Sequence, residues 1–133
     1  IGTGSQARAL GALEIVLGAR AEQGVYSYIN KELCEDRVTY TLVLDADARR
    51  ACELAVSAWR VLGCRDAGRV DLRADGNGSI CLLEVNPLAG IHPHHSDLPI
   101  LCSQLGIAYV DLIDQIMRSA LGRAGLTPPA RAR

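Results

Sequence analysis

The sequence predicts an α/β (α+β) domain, a mostly antiparallel sheet with helices packed on it. Three observations carry this expectation. Asp75-Gly76-Asn77-Gly78 is a strong hairpin signal, lying between the short apolar runs Arg69-Val70-Asp71 and Leu83-Glu84-Val85-Asn86. Residues 47–62 and 109–123 repeat their apolar side chains at helical spacing. A length of 133 residues suits one domain.

Residues 1–6 (IGTGSQ) make a poor domain start and read as a ragged edge or linker. Ala7 to Leu17 alternates loosely around Gly11, which predicts two short strands over 7–10 and 12–18. Residues 20–24 are polar and loop-like, and a charged stretch from Glu32 leads into Val38–Val43, rich in strand formers. Asp45 or Asp47 is placed to cap the helix over 47–62, and Gly63 is a natural stop. Trp59 falls on or beside that helix's apolar face and is expected in the core. After the hairpin, residues 88–97 form a loop rich in Gly, Pro and His. Residues 96–106 then read as a Ser N-cap, Pro near the first turn, an apolar helix and a Gly cap. Leu112, Ile113, Ile116, Met117, Ala120 and Leu121 share one face of a last helix over 109–123. Residues 124–133 are expected to be a disordered tail.

Composition excludes several function classes. A net charge of −1 gives no electrostatic case for nucleic acid, and no apolar run approaches the roughly 20 residues of a membrane span. The five cysteines are odd in number, scattered and without a C-x-x-C pair, as in a reduced cytoplasmic protein. The chain begins at Ile1 without a signal peptide or initiator Met and reads as mid-protein.

The chemistry concentrates in 69–99. Folding the hairpin brings Asp71 near Glu84 and Asn86, which are two apart and so share a strand face. Oxygen ligands on one face, with Arg69 two residues before Asp71, suit Mg²⁺ carrying phosphates. Leu82, Leu83 and Val85 flank Glu84, and burying a lone carboxylate is costly unless it is paired or bound to metal. His92, His94 and His95 lack the spacing and the companion ligands of a zinc set and read as loop residues, one or more lining a substrate pocket.

R-x-D, then E-x-N, then a Gly-containing loop ending in Ser-x-x-Pro resembles the C-terminal ATP-grasp core of D-alanine–D-alanine ligases, over roughly residues 8 to 123. The resemblance implies ATP with Mg²⁺, two ions expected and Mn²⁺ an alternative, and an acyl phosphate formed from a carboxylate and then displaced by an amine. It makes Asp71, Glu84 and Asn86 the metal ligands, with Glu84 bridging two ions. Arg69 matches the arginine that stabilises the transferring phosphoryl group, and Gly90 the glycine whose N–H completes an oxyanion hole. Ser96 and Leu98 fall where the family holds the second amino acid's carboxylate. Tyr26-Ser27-Tyr28-Ile29-Asn30-Lys31 matches the family's Y-x-Y-x-x-K segment. Lys31, the only lysine among thirteen arginines, would reach ATP phosphates or the acyl phosphate; the alternative is an ordinary exposed lysine. Residues 32–47 match a loop that closes over the site, where Tyr40 is equally well a cover or a packed surface residue.

The resemblance makes 7–123 the C-terminal ATP-grasp subdomain of a longer, cytoplasmic ligase in peptidoglycan precursor synthesis. Its partners are ATP, an amino-acid substrate and the parent chain's N-terminal and central domains. This stretch alone is expected to be inactive, with exposed apolar surface inviting homodimer formation. The family's usual Thr- or Ser-Pro-Gly turn after E-x-N is here Pro87-Leu88-Ala89-Gly90, and the loop to Ser96 is one residue longer. Those departures leave room for a ligase of another amino acid or dipeptide; a non-catalytic ATP-grasp-derived binding module is a third reading, against which the full metal set and Lys31 argue.

Overall fold

A computed structural model describes residues 1–17 and 38–127. Among these the α+β architecture holds, built from two antiparallel strand pairs and three helices. Strand β1 (Ala12–Leu17) pairs with β2 (Val38–Val43), with Ala12 opposite Val43 and Ile15 opposite Tyr40. Helix α1 (Ala46–Val61) follows. Its N-cap Asp45 accepts a hydrogen bond from the Ala48 N–H at 2.7 Å, and Gly63 beyond its end adopts a left-handed φ of 65°. Strands β3 (Arg69–Ala74) and β4 (Ile80–Asn86) form the second pair, then α2 (Asp97–Gln104) and α3 (Tyr109–Arg123) complete the order.

The β3–β4 turn falls on the expected residues. The Asp75 carboxylate accepts from the N–H groups of Asn77 and Ser79, and the Asp75 N–H donates to the Ser79 carbonyl. From there the ladder pairs Ala74 with Ile80, Arg73 with Cys81 and Leu72 with Leu82. It then skips one residue, so that Asp71 lies opposite Glu84 and Arg69 opposite Asn86. The skipped residue, Leu83, is a β-bulge.

The core is small. Ala7, Ala48, Trp59, Leu101, Cys102 and Leu112 are its buried apolar side chains. Helix α1 packs on β3, β4 and β1, while α2 meets β1, β2 and α3. Trp59 is only 5% exposed, and its indole N–H donates to the Gly2 carbonyl at 3.0 Å. A polar hub secures the loop before β3. Asp66, at φ 63°, accepts from Ser119 at 2.9 Å, Arg123 at 2.8 Å and Thr3 at 3.3 Å. The Arg123 hydrogen bond holds its carboxyl below the usual range, aided by Ser119 and Thr3 and opposed by burial.

Several expectations change. Residues 7–10 form no strand, because the Ala7 and Arg8 N–H groups turn back to the carbonyls of Gly4 and Ile1. Residues 1–6, expected as an edge or linker, keep that reading and exchange hydrogen bonds with Trp59, Arg60 and Asp66. Glu84 is not enclosed. It is exposed together with Leu82 and Leu83, since the β3–β4 ladder is two strands wide among the described residues and its main helical neighbour is α1. Cys52, Cys64, Cys81 and Cys102 are all free thiols, and Cys34 lies outside the described residues. No single described helix is long and apolar enough to cross a membrane.

Candidate active site

The bulge at Leu83 decides which side chains share a face. Counting from the turn, an unbroken ladder would set Asp71 opposite Leu83 and Glu84 opposite Val70, on the other face of the pleat. The one-residue skip shifts the register, so Arg69, Asp71, Glu84 and Asn86 come together on one face as two directly opposed pairs. All four were expected here, and the fold assembles them.

Arg69 is the most constrained member. Its Nε donates to Asp71 Oδ1 at 2.6 Å and its Nη2 to Asp71 Oδ2 at 2.9 Å, a two-point hold along one strand. Its Nη1 donates at 2.7 Å to Oδ2 of Asp97, in the first turn of α2. The side chains of Arg69, Asp71 and Asp97 are 23%, 34% and 12% exposed. The Asp71 hydrogen bond raises the Arg69 pKa above its ordinary value, with Asp97 adding to it, so the guanidinium is charged at every accessible pH. Asp97 Oδ1 is buried and has no hydrogen-bond partner among the described residues.

The loop after β4 is stitched at three points. Asn86 Oδ1 accepts from the Leu88 N–H at 3.2 Å, Ser96 Oγ accepts from the His92 N–H at 2.9 Å, and the Tyr109 hydroxyl donates to the Ile91 carbonyl at 2.9 Å. Ser96 stands at the N-cap of α2 but makes no side-chain cap; its oxygen is turned to His92 instead. Gly90 lies against this hydroxyl, and a Cβ there would sit 2.8 Å from Ser96 Oγ. Leu98 is half-buried in the first turn of α2. His92 stacks near His95 with ring centroids 4.6 Å apart, all three imidazoles being exposed. Lys31 and Tyr26–Tyr28 lie outside the described residues.

Among the described residues no three His, Cys, Asp or Glu side chains are grouped to hold a metal by themselves. The donor set on the hairpin is two carboxylates and an amide oxygen, all hard ligands. Such a set fits Mg²⁺, which keeps several waters and completes its shell with phosphate oxygens. It does not fit zinc.

The family model described as "D-ala D-ala ligase C-terminus" matches residues 4–118. The chain belongs to that family. Among curated relatives, the D-alanine–D-alanine ligase of Marinobacter nauticus is 38% identical over 79% of this chain and 33% of its own length. That of Cupriavidus taiwanensis is 36% identical over 90% of this chain and 36% of its length, and that of Bordetella avium 36% identical over 99% and 40%. The chain thus spans about a third of the length of these relatives.

Sequence reasoning missed one site residue in this D-Ala–D-Ala ligase C-terminal domain, Asp97. Its only signal was a carboxylate in the first turn of a helix that follows a charged hairpin, which reads as ordinary dipole complementation.

Proposed function

We propose that this chain is the metal- and phosphate-handling part of an ATP-dependent carboxylate–amine ligase of the D-alanine–D-alanine type. The observation that carries the reading is the bulged register of β3 and β4, which sets Arg69 and Asp71 against Asn86 and Glu84. Residues 7–123 form the catalytic subdomain, with 1–6 and 124–133 as its edges. A ligase of this type would act in the cytoplasm, where ATP is supplied, and its product would be a peptidoglycan precursor.

The reaction is two displacements. A carboxylate oxygen attacks the γ-phosphoryl group and ADP leaves; an amine then attacks the acyl carbon and phosphate leaves with the C–O bond electrons. Bound Mg²⁺, one or two ions, supplies charge neutralisation for the β and γ phosphates. Asp71, Glu84 and Asn86 would hold it. Arg69 offers a permanently charged guanidinium to the transferring group. Gly90 admits close approach of its N–H to the developing oxyanion. Ser96 and Leu98, at the start of α2, would receive the second amino acid, and Lys31 the phosphates.

The test is Mg²⁺-dependent ADP release, on this chain and on any longer polypeptide that carries it, with D-alanine and then a panel of other amino acids. The expected result is turnover only when the remaining two thirds of a ligase are supplied. No ADP release from such a polypeptide with any amino acid would refute the ligase reading. Release with another amino acid but not D-alanine would favour a second specificity. The Pro87-Leu88-Ala89-Gly90 turn supports that variant.

A further inference from the structure

Arg69 presents a conflict. If Asp71 is to bind a divalent cation, both of its oxygens are already engaged by the Arg69 fork. A cation at Asp71 would also repel the guanidinium beside it. With no other hold, the arginine would swing out of the site when it is most needed beside phosphate.

Asp97 supplies the other hold. Its Oδ2 already accepts Nη1 at 2.7 Å, from a different element. Its Oδ1, buried and without a partner, is an acceptor lacking a donor. A buried carboxylate oxygen is seldom left without a donor. The Arg69 guanidinium already meets Asp97 through Nη1, and its Nη2, now on Asp71 Oδ2, keeps a second N–H on the edge it shares with Nη1.

We propose that Asp97 is a positioning residue for Arg69: when Asp71 turns to a divalent cation, the guanidinium exchanges its two-point hold on Asp71 for a two-point hold on Asp97. The arginine thereby stays at the phosphate, the cation gains a free carboxylate, and the orphaned Oδ1 gains its donor. No covalent bond changes: the two hydrogen bonds to Asp71 break, the one to Asp97 Oδ2 is kept, and one to Asp97 Oδ1 forms. The proposal rests on the ligase reading only in taking a phosphate-bearing Mg²⁺ as the partner of Asp71.

The test uses the whole 133-residue chain labelled with ¹⁵N, following the arginine Nε–H resonances while MgCl₂ and ADP are added. The Arg69 signal is identified by its loss in Arg69→Lys. In the wild type it should shift, because Nε gives up Asp71 Oδ1, and should stay sharp, because the side chain remains anchored. In Asp97→Asn it should broaden on addition, and Mg²⁺–ADP should bind roughly tenfold more weakly, with Asp97→Glu recovering part of the loss. A merely structural Asp97 would lower thermal stability without altering the response of the Arg69 resonance. An unmoved wild-type signal on saturation overturns the proposal, as does an Asp97→Asn chain that binds and responds like wild type. If Asp97→Asn does not fold, the wild-type titration alone decides. Ligase turnover with an unmoved signal would sink this inference and leave the ligase reading intact. A shifted signal with no turnover on any amino acid would do the reverse.

Discussion

Gly68 is where packing and site meet, and substituting it gives a prediction that can be worked through. It precedes Arg69 and crosses over the last residue of β4. A Cβ built there would lie 2.5 Å from the Asn86 carbonyl oxygen and 2.5 and 2.6 Å from Cη2 and Cζ3 of Trp59. Ordinary contacts between such atoms are about 3.5–4.0 Å, so roughly 1 Å must be yielded. Neither neighbour yields freely. Trp59 is 5% exposed with its N–H bonded to Gly2, and the other atom belongs to the backbone of β4. Overpacking of this kind costs about 1–3 kcal/mol, and the double clash puts Gly68→Ala near the top of that range. Trp59→Leu removes the two clashing ring atoms and should by itself cost about 2–4 kcal/mol, as large-to-small core changes do. Together they should cost at least about 1 kcal/mol less than their sum, a coupling expected of residues in contact. Urea unfolding followed by far-UV circular dichroism measures all three, since Trp59 is the chain's only tryptophan and its own fluorescence is lost. Additive losses, or a Gly68→Ala midpoint equal to wild type, would refute the packing argument. The same shift of Asn86 should weaken Mg²⁺–ADP binding in Gly68→Ala.

Three further outcomes are expected. Asp66→Ala should lose about 1–3 kcal/mol, from stranded donors on Ser119 and Thr3; Asp66→Asn should lose less, because Asn tolerates the left-handed φ. The folded-state carboxyl of Asp66 titrates below its unfolded value, so its stabilisation is complete above about pH 4 and fades as pH falls through the folded value. Acid unfolding of Asp66→Asn should therefore be less steep over that window, and an unchanged slope would count against the hub. Gly90→Ala should push aside the Ser96 hydroxyl and break its bond with the His92 N–H, visible as a shifted His92 amide resonance with little change in Tm. Glu84→Gln keeps shape and removes a charge from an exposed position, so it should leave stability within about 0.5 kcal/mol while weakening Mg²⁺–ADP binding; equal binding would remove Glu84 from the metal set.

The elements legible in the sequence were those with their own punctuation. Asp45 before an apolar-periodic run and Gly63 after it bounded α1, and the 109–123 periodicity bounded α3. The Asp75–Gly78 turn had strong local chemistry. What failed lacked such signals. Residues 7–10 alternate like a strand, yet their backbone finds closer partners in residues 1–4, and alternation says nothing about what a strand will pair with. The enclosure expected for Glu84 failed because apolar neighbours in sequence mark burial only when another layer covers them, and Leu82 and Leu83 are exposed here. Ser96 was legible as a helix start but not as the acceptor of the His92 N–H, since a hydroxyl has several nearby donors and only the fold selects among them.

The site shows the same division at finer scale. R-x-D and E-x-N name the four residues, but spacing from a regular turn would put Glu84 on the wrong face. Nothing in Leu82-Leu83-Glu84 announces a bulge, since no glycine or proline marks it. The bulge swaps an apolar residue opposite Asp71 for a carboxylate, and so gathers two acids, an amide and an arginine. That gathering is electrostatically unfavourable for the two acids alone. Arg69 offsets it in this state by spanning Asp71 and Asp97, while Glu84 stays in solvent, where its charge is cheaply hydrated. A hairpin face with one arginine shared by two carboxylates and a third acid across the ladder is short of positive charge. Under the proposed ligase function a divalent cation would offset that shortage, and its phosphates would meet the guanidinium that Asp71 and Asp97 hold.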